Sequence, residues 1–174
     1  MPDNIRTHSL VVNKCALLIG HGLKASGIEV SVEKITAGAL LHDIAKRLCL
    51  KNGGNHAARG REICIENNFH EIADIVGEHV CLSRYSSGGP IREKEIVYYA
   101  DKRVNHDKVV SLDERLAYIL RRYAKAKEDI SRSILENFRL CKAVEQKLFA
   151  RLPFRPQDLG DLVGEIKGWN CAYE

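Results

Sequence analysis

The residues of this chain best suited to chemistry are an adjacent histidine and aspartate, within Leu40-Leu41-His42-Asp43-Ile44-Ala45-Lys46. A carboxylate withdrawn from water among Leu, Ile and Ala needs a compensating partner, because burying an uncompensated ion is costly. A divalent metal is such a partner, since imidazole and carboxylate both ligate first-row metals. Chain neighbours of this kind also form plain surface pairs. The doublet gains meaning from what accompanies it: His8, His56, His79 and Asp101, each in a helical context.

Helical periodicity sets these residues on inward edges. A first helix over about residues 4–19, capped by Asp3 and ended by Gly20 and Gly22, carries His8 on one face with Val11, Val12, Cys15 and Ile19. Ser31 caps a second, to about residue 46, with Ile35, Ala39 and His42 on one stripe and Asp43 four residues after Ala39. Asn55 caps a third from His56 to about Asn67, where Gly60 permits a close helix approach or room for a ligand. A fourth, about 71–80, buries Ile72, Ile75, Val76 and His79, while His70 faces water. In a fifth, about 92–104, Asp101 follows Val97 by one turn and wants a cation. Between the last two, the loop from Ser83 to Pro90 is long enough to act as a rim or lid.

Ser111-Leu112-Asp113-Glu114 is a capping box opening a sixth helix to about residue 127. A seventh, about 129–151, places Ile130, Ile134, Phe138, Cys141, Val144 and Leu148 at helical spacing, which marks a packing face. Pro153 and Pro156 end it, and the tail has room for one short helix. No period-2 pattern stands out. The expected fold is therefore all-α, a bundle of about 6–8 helices. Its core is 1–127, and a C-terminal extension, 128–174, packs on that core or in a homodimer.

With 45% apolar and 29% charged residues, the 174-residue chain is suited to one globular domain. A formal charge of +4 mildly favours anionic small molecules, but no dense basic run of the kind nucleic-acid binders carry is present. No apolar run approaches bilayer length, and Met1-Pro2-Asp3-Asn4 lacks a leader's basic and apolar regions, so a soluble cytoplasmic protein is expected. The six cysteines form no C-x-x-C pair; Cys15, Cys64 and Cys141 fall on apolar faces and read as buried free thiols. Phosphate-binding glycine loops, the G-x-S-x-G elbow and H-E-x-x-H are absent.

Six polar residues on buried edges imply a shared purpose, since a bundle core holds few polar groups without one. The count fits two divalent transition metals, and mixed imidazole and carboxylate donors suit Fe, Mn, Co, Ni or Zn better than a lone Mg. The order His8, then L-L-H-D-I-A-K at Leu40–Lys46, then Y-A-D-K at Tyr99–Lys102 resembles the HD-domain superfamily of metal-dependent phosphohydrolases. The resemblance covers about residues 5–123 and implies metal ligation by His8, His42, Asp43 and Asp101. His56, in N-H-A-A-R-G, and His79, in V-G-E-H-V, look like the two extra histidines of the binuclear subgroup. That subgroup includes the YqeK-like symmetrical diadenosine-tetraphosphate hydrolases and the HD-GYP cyclic-dinucleotide phosphodiesterases. The gap from Asp43 to His56 is short for the YqeK-like pattern, Ala-Asp-Lys-Arg stands for its Ala-Asp-Tyr-Ile, and no G-Y-P is present.

What the resemblance implies is hydrolysis of a phosphoester or phosphoanhydride of a nucleotide or related small phosphate compound by a metal-bridging hydroxide. Asp43 would be the bridging ligand, and Lys46, one turn on, would neutralise charge on the phosphoryl oxygens. Arg59, Arg84, Lys102 and Arg103 are further candidates for phosphate contacts, and Tyr85 for stacking on a base. Tyr98 and Tyr99 suit the core equally well. Two other functions stay open: a non-catalytic nucleotide-binding regulatory module, and a di-iron oxygenase of the same fold.

Overall fold

A computed structural model describes residues 2–123 and 128–166. The first helix, α1, spans Asp3–Ala25 and passes straight through both glycines expected to end it. A Cβ on Gly20 would lie 2.8 Å from Ile35 Cδ1, and one on Gly22 would lie 2.6 Å from Leu152 Cδ2. Both glycines are sites of close approach, not stops. The helix ends at the left-handed Gly27, with φ of +79°, and Pro2, not Asp3, stands at its N-cap.

The second helix, α2 (Val32–Leu41), begins as expected, with Ser31 Oγ accepting from the Lys34 amide at 3.2 Å. It stops at Leu41. The chain turns through His42–Ala45 and resumes as α3 (Lys46–Asn52), so the doublet occupies a break between helices. Asn55 caps α4 (His56–Glu66) through the amides of Ala57 and Ala58. Then follow α5 (His70–Glu78) and α6 (Glu93–Lys102). An unexpected hairpin comes next, β1 (Val104–Asn105) and β2 (Lys108–Val109), turning on His106 at φ +57°. Strands of two residues are too short for an alternating pattern to register.

Beyond it lie α7 (Leu112–Tyr123), α8 (Glu128–Phe149), a 3-10 turn (Pro156–Asp158) and α9 (Leu159–Glu165). Among the described residues the fold is all-α apart from the hairpin. There are nine α-helices among the described residues, one more than the seven and the short tail helix read from the sequence, because the chain breaks after α2 and resumes as the separate α3. One apolar core joins Val12 and Ile19 of α1, Ile35 of α2, Val76 of α5 and Ile96 of α6 to Phe138, Cys141, Val144 and Leu148 of α8. Near the start of α8 the stripe loosens, and Ile130 and Leu135 are exposed. Cys15, Cys64 and Cys141 are buried free thiols. No described helix is long and apolar enough to cross a membrane.

The 83–90 loop is no lid over the histidines. Tyr85 donates its hydroxyl hydrogen to the Ala143 carbonyl at 3.0 Å, and Lys147 donates to the carbonyls of Ser86 and Pro90 and to buried Glu95. These bonds tie the loop to α8, with the Tyr85 hydroxyl held there instead of presented to a base.

Candidate metal centre

Five segments deliver the six polar residues to one place. His8 comes from α1, His42 and Asp43 from the break after α2, and His56 from the first turn of α4. His79 follows the last turn of α5, and Asp101 closes α6. Asp43 Oδ2 lies 3.4 Å from His42 Nε2, while its Oδ1 lies 3.4 Å from His56 Nε2 and 3.6 Å from His79 Nε2. Asp101 Oδ1 lies 3.1 Å from His8 Nε2 and 3.7 Å from His42 Nε2. Two sets of donors result, His8-His42-Asp43 and Asp43-His56-His79, each with ligand atoms within 4.8 Å of one another. Asp43 belongs to both.

The imidazole tautomers follow from the backbone. Nδ1 of His8 lies 2.9 Å from the His106 carbonyl, Nδ1 of His42 2.7 Å from that of Ala39, and Nδ1 of His79 2.6 Å from that of Val76. A carbonyl oxygen only accepts, so Nδ1 carries the proton of each ring's neutral tautomer and Nε2, the lone-pair nitrogen of that tautomer, turns to the centre. Acceptors then face acceptors. His56 Nε2 sits 3.2 Å from His79 Nε2, and the buried atoms His42 Nε2 and Asp43 Oδ1 have no hydrogen-bond partner among the described residues. Such an array needs positive charge between its members, and buried unsatisfied groups of this kind call for an explanation. These residues fit divalent metal ions: the donor types are right, the second ring nitrogens are anchored as metal-bound histidines usually are, and the orphaned atoms are those a cation would satisfy.

The electrostatics point the same way. Burial favours the neutral form of Asp43, but the His42, His56 and His79 rings beside its two oxygens outweigh it and hold the carboxyl far below its usual range. For Asp101, burial is likewise overcome, chiefly by the Lys102 ammonium and His8. Burial depresses His79 to about 4, which leaves its lone pair available at neutral pH. Burial also opposes charging of His42, yet Asp43 and Asp101 beside it raise its pKa.

The candidate phosphate contacts separate. Lys46 Nζ lies 2.6 Å from Asp43 Oδ2 and is more than a third exposed, on the open side of the centre. Lys102 is buried behind it, donating to the His79 carbonyl and, at 3.3 Å, to Asp101 Oδ2. It does not line the cleft that opens over the centre. Arg103 is also buried, giving hydrogen bonds to the Val110 carbonyl (2.6 Å), the Tyr99 hydroxyl and the Pro156 carbonyl (2.9 Å). It fastens α6 to the segments around it and has no face for a phosphate. Arg59 is engaged by Glu62 and Glu66 along α4. Arg84 is exposed on the loop tied to α8. Tyr98 and Tyr99 are core residues.

A cleft of about 560 Å³ opens over the centre. His8, Asp43 and Lys46 line one side; His106, Arg115, Tyr118 and Arg122 line the hairpin and α7 side. Sequence reasoning passed over this second group, although spacings of three and four set the three α7 residues on one helical face. None of the residues of the 83–90 loop lines the cleft.

The family model of the HD domain matches residues 5–106, well over half the chain and inclusive of all six converging residues. The chain belongs to the HD-domain family. As an HD domain it is 28% identical, over 148 residues, to an uncharacterized protein of Methanocaldococcus jannaschii, covering 78% of this chain and 86% of that one. It is 26% identical over 165 residues to ribonuclease Y of Thermosipho melanesiensis, covering 94% of this chain but only 30% of that protein. No solved structure matches it. The HD match ends in the hairpin, so α7, α8 and α9 lie outside it.

Proposed function

We propose that this HD-domain protein is a metal-dependent phosphohydrolase acting on a phosphoester or phosphoanhydride of a nucleotide or related small phosphate compound. The observation that carries the reading is Asp43, whose two carboxylate oxygens face different histidine sets. His8, His42, Asp43 and Asp101 would hold one divalent transition metal, and Asp43, His56 and His79 a second. When bound, such ions lower the pKa of water into the neutral range and offset charge at phosphorus.

The chain's own groups do the rest. The backbone carbonyls of Ala39, Val76 and His106 hold three rings with their lone pairs inward. Lys102 holds the Asp101 carboxylate and the His79 turn from behind. Lys46, on the open side, is the cation placed for phosphoryl oxygens as negative charge develops there. Its link to Asp43 ties its position to the state of the centre.

A second reading, hydrolysis of an RNA phosphodiester, is favoured by the similarity to a ribonuclease over most of this chain. One experiment separates them. Protein supplied with Mn, Fe, Co, Ni or Zn is screened against mononucleotides, cyclic nucleotides, dinucleoside polyphosphates and short RNA, with Asp43→Ala as control. Turnover of a small phosphate compound, lost in the variant, is the expected result. Turnover of RNA alone would transfer the reading to the second class, and phosphate release unchanged in Asp43→Ala would remove the mechanism.

A further inference from the structure

We propose that the α7 wall of the cleft is a substrate-recognition subsite for a second phosphate and a nucleobase, so that the substrate is a nucleoside carrying at least two phosphates. The inference rests on the phosphohydrolase reading for the first phosphate, which sits at the histidine centre, and adds what lies beyond it. Arg115, Tyr118 and Arg122 share the face of α7 that lines the cleft opposite Lys46 and Asp43. The two arginines are about 10 Å apart along the axis at 1.5 Å per residue.

Their bonding is incomplete in a way that points to an anion. Arg115 donates to Asn105 Oδ1 at 2.8 Å and lies against the Tyr118 ring, yet its buried Nε has no acceptor among the described residues. A buried guanidinium N–H without a partner is rare, and the geometry of that group matches paired phosphate oxygens. Arg122 donates to the Tyr118 hydroxyl at 2.9 Å. Among the described residues neither arginine has a carboxylate within ion-pair distance, in contrast to Arg59 and Arg103. The cleft's acidic side chains are Asp43, which belongs to the centre, and Asp107 in the hairpin turn. Arg115 and Arg122 thus remain for anionic substrate in addition to Lys46, which Asp43 holds at the centre.

The aromatic groups supply the other half. Tyr118 lies edge-on to His106, with ring centroids 5.4 Å apart, and Tyr123 is 53% exposed beside it in the same cleft. A half-buried and an exposed tyrosine interleaved with arginines form a surface for stacking a flat heterocycle. The cleft volume falls in the range of small-molecule sites.

Equilibrium calorimetry with Mn-supplied protein tests this without turnover. The probes are AMP, pyrophosphate and the non-hydrolysable α,β-methylene analogue of ADP. The wild type is expected to bind the ADP analogue about tenfold more tightly than AMP, as one added charge-assisted contact predicts. In Arg122→Gln, an exposed position where substitution leaves the core intact, that ratio falls below about threefold. In Tyr118→Leu the loss falls on both nucleotides and spares pyrophosphate. Affinities for AMP and the ADP analogue within threefold in the wild type, a ratio unchanged in Arg122→Gln, or no binding of either nucleotide overturns the proposal. Binding as expected with no phosphate release from any substrate would leave the subsite standing and defeat the hydrolase reading instead.

Discussion

Gly38→Ala is the substitution for which helix propensity and packing give opposite answers. Gly38 lies in α2, where alanine would be favoured by about 1 kcal/mol on propensity alone. Its missing side chain, however, is where Ile75 of α5 packs. A Cβ there would collide with Ile75 Cγ2 and lie 3.1 Å from Ile75 Cβ. The isoleucine Cβ is fixed to its backbone, so a rotamer change cannot relieve the second contact and the helices must separate. Overpacking of this kind costs about 1–3 kcal/mol; with the propensity gain deducted, a net loss of roughly 1–2 kcal/mol remains at the upper end of that range. For a chain of this size that lowers the melting temperature by roughly 2–8 °C.

His42 follows Gly38 by one turn and His79 follows Ile75 by one turn, so the same separation pulls the two rings apart. Thermal unfolding followed by circular dichroism on the wild type, Gly38→Ala, Ile75→Ala and the double variant is the assay. The double variant should be more stable than the sum of the singles by about 1–2 kcal/mol. Gly164→Ala in α9, where among the described residues no atom outside the helix's own backbone and the adjoining residues lies within 4 Å of the new Cβ, serves as the control that shows propensity without collision. A melting temperature for Gly38→Ala equal to or above the wild type, with additive double-variant energies, would refute the packing argument.

Three further outcomes follow from the same geometry. Adding Mn or Zn to chelator-treated protein at about a hundred times its dissociation constant should stabilise the fold by about 2.7 kcal/mol, a rise of roughly 5–10 °C; the same rise in Asp43→Asn would show that the ion binds elsewhere. Lys102→Met should lower metal affinity by about tenfold or more, because Asp101 and the His79 turn lose their buried anchor; metal titration reads this, and an unchanged affinity contradicts the orienting role. Burial pushes Cys15 and Cys141 up to about 12 and raises Cys64 as well. Iodoacetamide at pH 8 should therefore label exposed Cys81 and spare these three, as peptide mass spectrometry would show.

The parts of the centre legible in the sequence were those whose neighbours are apolar at helical spacing. His8, His79 and Asp101 were placed inward by Val12, Val76 and Val97, and all three neighbours are fully buried. Ser31 and Asn55 were legible as caps because their side chains act locally, on amides two or three residues away. Long-range facts were not legible. Gly20 and Gly22 carry the composition of a helix stop, and only Ile35 and Leu152 reveal them as contact points. Arg103 and Arg115 look alike as charges; what distinguishes them is that the first is saturated by protein oxygens and the second keeps a buried N–H without one.

The break after Leu41 shows how such a hidden feature bears on function. His42 itself keeps helical backbone angles, and the stretch is closed by turns in which the Ile44 amide donates to the Leu41 carbonyl at 2.9 Å and the Lys46 amide to the Asp43 carbonyl at 3.0 Å. The helical periodicity therefore runs through the break unaltered, which is why the sequence does not reveal it, while His42 Nε2 and Asp43 Oδ2 come within 3.4 Å. A division of labour is visible at the other end of the cleft. Residues matched by the family model contribute every converging histidine and aspartate, whereas Arg115, Tyr118 and Arg122 lie past its end. The hairpin joins the two parts, because the His106 carbonyl orients the His8 ring while the His106 side chain lies against Tyr118. His106 makes both contacts from a backbone φ of +57°, an angle few side chains adopt.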